Sequence, residues 1–177
     1  MFYNGPKCGA SAPDHMHFQA GKKEEFPVVR NWPNFPKQVV WESERTGFYA
    51  SVDLLPVCFI LVSRDKGGAA AVFELLYDMM PMGPDDYEPM MNLLVWREDD
   101  VWITCIFPRR ELRPSCYYAE GDANILISPA TVEMAGLFVV PLEKDFKKVT
   151  FADLEKVWEE VSITEDEENE LPSPVRQ

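Results

Sequence analysis

The chain has 177 residues and a formal net charge of −13, long enough for one domain that buries about 70% of the surface its unfolded form exposes. Its 46% hydrophobic and 27% charged residues exclude a disordered or fibrous protein, and no apolar run reaches the ~20 residues of a membrane span. The acidic balance, with a pI near 4.5, argues against nucleic-acid binding, yet a single small anion can still be held by a few backbone N–H groups.

Phe2-Tyr3-Asn4 reads as a stub of apolar strand, and residues 5–14 (GPKCGASAPD) as a shaped loop of Gly, Pro and small side chains. Residues 15–20 alternate with period two, which predicts a strand with His15, His17 and Gln19 on one face and Met16 and Phe18 turned to the core. Residues 22–36, polar and carrying Pro27, Pro33 and Pro36, read as a loop. Residues 38–42 and 47–52 predict a strand pair, and 57–63 (VCFILVS) a buried strand. Val72, Leu75, Leu76 and Met79 recur at helical spacing over 65–80, where Pro81 ends the helix. Residues 93–98 and 101–107 flank Asp99-Asp100 as a hairpin, and 124–128 and 136–142 predict two further short strands. Thr150 and Asp153 form a capping box that opens a helix over 150–161, with Leu154, Val157, Trp158 and Val161 as its apolar stripe. Residues 163–177 hold five acids and one arginine and predict a disordered acidic tail. The expected fold is α+β, a mainly antiparallel sheet with two helices, over residues 1–162.

The amino terminus (MFYNGPKCG) has neither the basic nor the apolar segment of a secretory leader. Cys8, Cys58, Cys105 and Cys116 show no C-x-x-C spacing and fit reduced thiols. A cytoplasmic protein is therefore expected.

The chain's two histidines, His15 and His17, lie two apart with Gln19 next in register. Paired histidines on a half-exposed strand are also explained as ordinary satisfied polar groups. The preceding loop shifts the balance, because Gly5, Gly9, Ala10 and Ser11 can bring backbone N–H groups and a hydroxyl to an anion. An imidazole beside such a nest can attack phosphorus and form a phosphoramidate, while Gln19 donates to a non-bridging oxygen. This reading is phosphoryl or nucleotidyl transfer through a covalent histidine. Two others stand beside it: a Zn²⁺ site in which His15 and His17 are joined by Cys8 or an acid, and a truncated, non-catalytic chain that dimerises and binds nucleotide weakly or not at all.

Residues 4–20 (NGPKCGASAPDHMHFQA) resemble the active-site segment of the transferase branch of the histidine-triad superfamily. That branch includes the galactose-1-phosphate uridylyltransferases and diadenosine tetraphosphate phosphorylases. The HMHFQA stretch is most similar to the H-L-H-F-Q-A segment of the GDP-hexose phosphorylases, with Asp14 where those enzymes have Asn. Asn92-Leu93-Leu94 opens a hairpin, and Ser128 to Gly136 (SPATVEMAG) resembles their N-P-A-x-x-E-x-x-G segment. The resemblance runs from about Phe2 to Val161 and implies a histidine-triad-like fold, the end of a first repeat followed by a degenerate, histidine-free second one.

By that resemblance, His17 is the nucleophile, His15 orients it through its backbone carbonyl or ring, and Gln19 holds a phosphate oxygen. Ser11 with Gly9 and Ala10 would bind phosphates, and Asn4 occupies a position that contacts substrate; Lys7, in the same loop, is placed to meet an anion. The implied substrates are a nucleoside diphosphate sugar or a dinucleotide, with guanine the base suggested, and inorganic phosphate or a sugar phosphate as acceptor. Mg²⁺ is compatible with this chemistry, although the sequence shows no dedicated carboxylate cage or metal ligand set. The resemblance also implies that the chain is the C-terminal part of such an enzyme, with about a hundred residues expected upstream. An exposed edge at Phe2 to Asn4 favours pairing with a second copy, so a homodimer is expected. Neither nucleic acid nor membrane is an expected partner.

Overall fold

The computed structural model describes residues 1–32, 34–164, 166 and 167. Seven strands form one open antiparallel sheet: β1 (Phe2–Asn4), β2 (Phe18–Gln19), β3 (Lys37–Glu42), β4 (Thr46–Ser51), β5 (Phe59–Ser63), β6 (Met91–Glu98) and β7 (Val101–Pro108). Their order is β2-β1-β6-β7-β5-β4-β3. The α+β class and the antiparallel sheet agree with the sequence reading.

The central strands are apolar on both faces because both faces are covered. On β5, Phe59 and Leu61 join a cluster with Phe48, Val72, Leu76 and Ile106. Ile60, between them, joins the opposite cluster with Leu94, Ile103, Cys105, Phe107 and Val161. The first face is covered by α2 (Lys66–Met79), capped by Asp65 accepting from the Gly67 N–H at 3.1 Å. Beneath the other face lie α1 (Pro27–Asn31), α4 (Thr131–Met134) and α6 (Phe151–Val161), the last opened by the expected Thr150–Asp153 capping box.

Several expectations need correction. Among the described residues there are six α-helices, not two; the others are α3 (Ser115–Tyr118) and α5 (Glu143–Lys148), with 3₁₀ turns at Lys23–Glu25 and Gly121–Ala123. Pro27, read as a breaker, starts α1 instead, since the first helical position needs no N–H donor. Residues 124–128 and 136–142 are not strands. Ile125 and Ile127 are buried as the alternation suggests. Their segment has no ladder, however, because the Leu126 N–H donates to Asp145 Oδ2 (2.9 Å) and the Ile125 N–H to the Cys116 carbonyl (3.0 Å). In the second segment the Val139 N–H goes to Glu133 Oε1.

The edge at the amino-terminal end of the sheet is β2, not Phe2–Asn4. β1 is paired on both sides, Phe2 opposite Gln19 and Leu94, Tyr3 opposite Phe18 and Leu93. Order also continues past Ser162: Ile163 is buried, and the Thr164 N–H donates to the Glu167 carboxylate at 2.7 Å. Position 165 and the rest of the expected tail, 168–177, lie outside the described residues. Among the described residues no helix is long and apolar enough to cross a membrane.

Candidate functional site

The loop from Gly5 to His17 leaves β1 and returns as β2, and two glycines shape its path. Gly5 passes so close to β6 that an added Cβ would lie 2.9 Å from the Met91 carbonyl oxygen, and its N–H donates to that same oxygen. Gly9 has φ +85°, and a Cβ there would meet the Pro129 carbonyl oxygen and Ala130 Cβ at 2.7 Å. The first motif loop thus rests directly on the SPATVEMAG segment. Gly5 is thereby removed from the expected anion nest. Among the described residues, the N–H groups of Gly9, Ala10 and Ser11 have no hydrogen-bond partner.

The histidines precede the strand rather than lie on it, since β2 begins at Phe18. Met16 and Phe18, expected in the core, are 70% and 58% exposed. β2 is an edge strand with an uncovered outer face, and the Phe18 ring lies against the Tyr3 ring, 5.5 Å between centroids. The rings of His15 and His17 lie 5.3 Å apart. His17 Nδ1 is 3.1 Å from the His15 carbonyl oxygen. His15 Nδ1 sits 3.1 Å from Asp14 Oδ1, and that bond holds the Asp14 carboxyl below its ordinary range. Beside His15 opens a cleft of about 510 Å³ whose walls include Tyr3, Asn4, Ala10, Asp14 and Glu88; His17 and Gln19 are not among them. Its half-buried carboxylate, Glu88, accepts from the Tyr3 hydroxyl, which with burial raises the phenol's pKa.

Asn4 is buried at the junction of the two motif segments. Its Oδ1 accepts from the Thr131 N–H (2.8 Å) and from Asn92 Nδ2 (3.0 Å), and its Nδ2 donates to Gln19 Oε1 (3.1 Å). Lys7 is ion-paired with Asp86, which raises the lysine's pKa and lowers the carboxyl's. Ser11 is exposed, with no hydrogen bond among the described residues.

A family profile described as a domain of unknown function (DUF4922) matches residues 1–22. No curated protein and no solved structure matches the chain. The matched stretch includes β1, the loop, both histidines and Gln19.

Sequence reasoning missed the groups behind this surface. Arg109 is 4% exposed and entirely engaged within the protein. Its Nε donates to the Val161 carbonyl (3.2 Å), Nη1 to Asn92 Oδ1 (2.6 Å) and Pro129 O (3.1 Å), and Nη2 to Glu111 O (3.0 Å) and Leu112 O (3.2 Å). All five guanidinium donors are used. Arg110 is likewise structural, bonding the carbonyls of Glu159 and Glu160 at the end of α6. Asn92, which the sequence placed only at the opening of a hairpin, is fully buried.

Cys8 is also fully buried, and desolvation pushes its thiol up to about 12, so it is poorly suited to bind metal with the exposed His15 and half-buried His17. Among the described residues no three His, Cys, Asp or Glu side chains converge as a ligand set.

Proposed function

We propose that the chain is a nucleotidyltransferase or phosphorylase of the histidine-triad type, acting on a nucleoside diphosphate sugar or dinucleotide through a nucleotidyl-His17 intermediate. The observation that carries this reading is the 3.1 Å contact between His17 Nδ1 and the His15 carbonyl. A carbonyl only accepts, so in neutral His17 the proton sits on Nδ1 and Nε2 keeps its lone pair.

Nε2 attacks the α-phosphorus, an N–P bond forms, and the P–O bond to the leaving group breaks, releasing a sugar phosphate or a nucleoside polyphosphate. The imidazolium charge that results is held against the His15 carbonyl. An oxygen of inorganic phosphate or of a sugar phosphate then attacks phosphorus. The N–P bond breaks and Nε2 recovers its lone pair. Gln19 donates to the charge that builds on a non-bridging oxygen, and the unpaired Gly9, Ala10 and Ser11 N–H groups bind the phosphate chain. The same reading takes the sheet as histidine-triad-like, the chain as cytoplasmic, and the open β2 edge as the contact for a homodimer.

A second reading, the non-catalytic remnant, is favoured by one observation: Asn4 and Lys7, two of the groups expected to meet substrate, are bonded to Gln19, Thr131 and Asp86 instead. Intact mass after incubation with a GDP-hexose, an ADP-sugar, a UDP-sugar and diadenosine tetraphosphate in turn, without acceptor, separates the two. Transfer predicts an added nucleoside monophosphate with one donor class, lost in acid and absent from His17→Ala. No adduct with any donor overturns the proposal.

A further inference from the structure

Three amides, Asn92, Asn4 and the exposed Gln19, stand in a row that starts at the buried guanidinium of Arg109. Each has an oxygen end and a nitrogen end, and its neighbours dictate which way round it sits. Arg109 can only donate, so Asn92 turns its Oδ1 to Nη1 at 2.6 Å. Asn92 Nδ2 then faces the Cys8 carbonyl, which can only accept, at 2.8 Å, and Asn4 Oδ1 at 3.0 Å. The Thr131 N–H, another obligate donor, independently fixes that end of Asn4 as its oxygen, at 2.8 Å. The remaining Asn4 Nδ2 donates to Gln19 Oε1 at 3.1 Å. Gln19 Nε2 is left as the free end of the row, with no acceptor among the described residues.

We infer that Arg109 is a positioning residue: acting through Asn92, and together with the Thr131 N–H, it holds Asn4 in the direction that makes Gln19 present a hydrogen-bond donor, and never an acceptor, to an incoming phosphate. This rests on the transfer reading above for its catalytic consequence, but the direction of the amide is a property of the free protein. With five neutral acceptors and no carboxylate bonded to it, Arg109 is a one-way anchor. A phosphate oxygen offered the Oε1 end of Gln19 would meet repulsion instead of a bond.

The test uses the full chain, with solvent-exchange NMR of the side-chain amides and single-turnover rates of adduct formation. In the parent, the amide protons of Asn4 and Asn92 should exchange slowly and those of Gln19 at the rate of a free glutamine. Asn4→Asp replaces the donor facing Gln19 by an acceptor and should turn the amide round. Gln19 exchange should then slow at least about 10-fold, and the transfer rate fall about 100-fold, the scale of losing one transition-state donor, with KM within about threefold. Gln19→Ala should cost a similar factor, and the double variant no more than Gln19→Ala alone. Arg109→Lys, which keeps a donor-only group, should retain the parent's exchange pattern.

Protected Gln19 protons in the parent overturn the inference whether or not the Asn4 variant folds. So does unchanged Gln19 exchange in Asn4→Asp, or losses that multiply in the double variant. A parent chain that shows the expected exchange but forms no adduct overturns the transfer reading and sustains the amide order.

Discussion

Asn4 and Thr131, 127 positions apart in sequence, are joined at a single oxygen: Asn4 Oδ1 accepts from the Thr131 N–H at 2.8 Å and lies 2.6 Å from the Thr131 hydroxyl. The same hydroxyl lies 2.7 Å from the Tyr3 carbonyl oxygen, so its one proton serves β1 whichever acceptor takes it. This junction sets the start of α4 against β1 and thereby fixes the strand from which the histidine loop departs. Thr131→Val keeps the shape and the backbone bond but removes the hydroxyl from a fully buried site. Urea denaturation should show a loss of about 1–3 kcal/mol; a loss within error of zero would mean that the hydroxyl contributes nothing to the junction.

Gly9 makes the second contact between the two segments. Gly9→Ala would place a methyl group 2.7 Å from the Pro129 carbonyl oxygen on a residue with φ +85°. Backbone strain and overpacking together should cost about 2–4 kcal/mol, read as a lower urea midpoint. The displaced loop should also slow adduct formation at His17. Full stability in this variant would show that the loop does not rest on Pro129–Ala130 in solution.

Two buried carboxyls give the stability opposite dependences on pH. Asp145 accepts from the Leu126 N–H and Lys144 Nζ, which hold its carboxyl below the 3.8 of the unfolded chain. The unfolded state therefore binds the proton more readily, and this contribution, present above pH 3.8, is lost as pH falls through the folded value. Glu133 goes the other way: burial raises its carboxyl above 4.5, so stability falls as pH climbs from 4.5 to the folded value. Asp145→Asn should flatten the acid limb of urea midpoint against pH, and Glu133→Gln should remove the fall above pH 4.5. An unchanged profile in either variant contradicts the assignment.

Three of the four cysteines, Cys8, Cys58 and Cys105, are buried, and Cys116 is partly exposed. A thiol reagent should titrate about one cysteine in the folded chain and all four in denaturant, with Cys116 the site modified. Rapid reaction at Cys8 would reopen its participation in a metal or redox site.

The elements legible in the sequence are those with a sustained period and a local punctuation mark. The β6–β7 hairpin has its Asp99-Asp100 turn, with Asp99 at φ 53°; α2 has Asp65 and Pro81, and α6 has its capping box. The four short helices escape because one turn shows no periodicity, and in α1 the apparent breaker is the initiator. His15, His17 and Gln19 were legible as a group. The strand reading holds for Gln19 but not for the two histidines, and alternation over 15–20 does not reveal that β2 is an edge with nothing on its outer side. Asn92 and Thr131 were not legible as partners of Asn4, because a polar contact across 88 or 127 positions leaves no local pattern.

Bonding of His17 Nε2 to phosphorus can be read from the position of the adduct on the chain. The full chain, reacted with whichever donor labels it, would be digested under mildly alkaline conditions that preserve a phosphoramidate and sequenced by tandem mass spectrometry. One nucleoside monophosphate is expected on His17, retained in His15→Ala at a reduced rate and absent in His17→Ala. A label on His15, or on any residue other than His17, would contradict it.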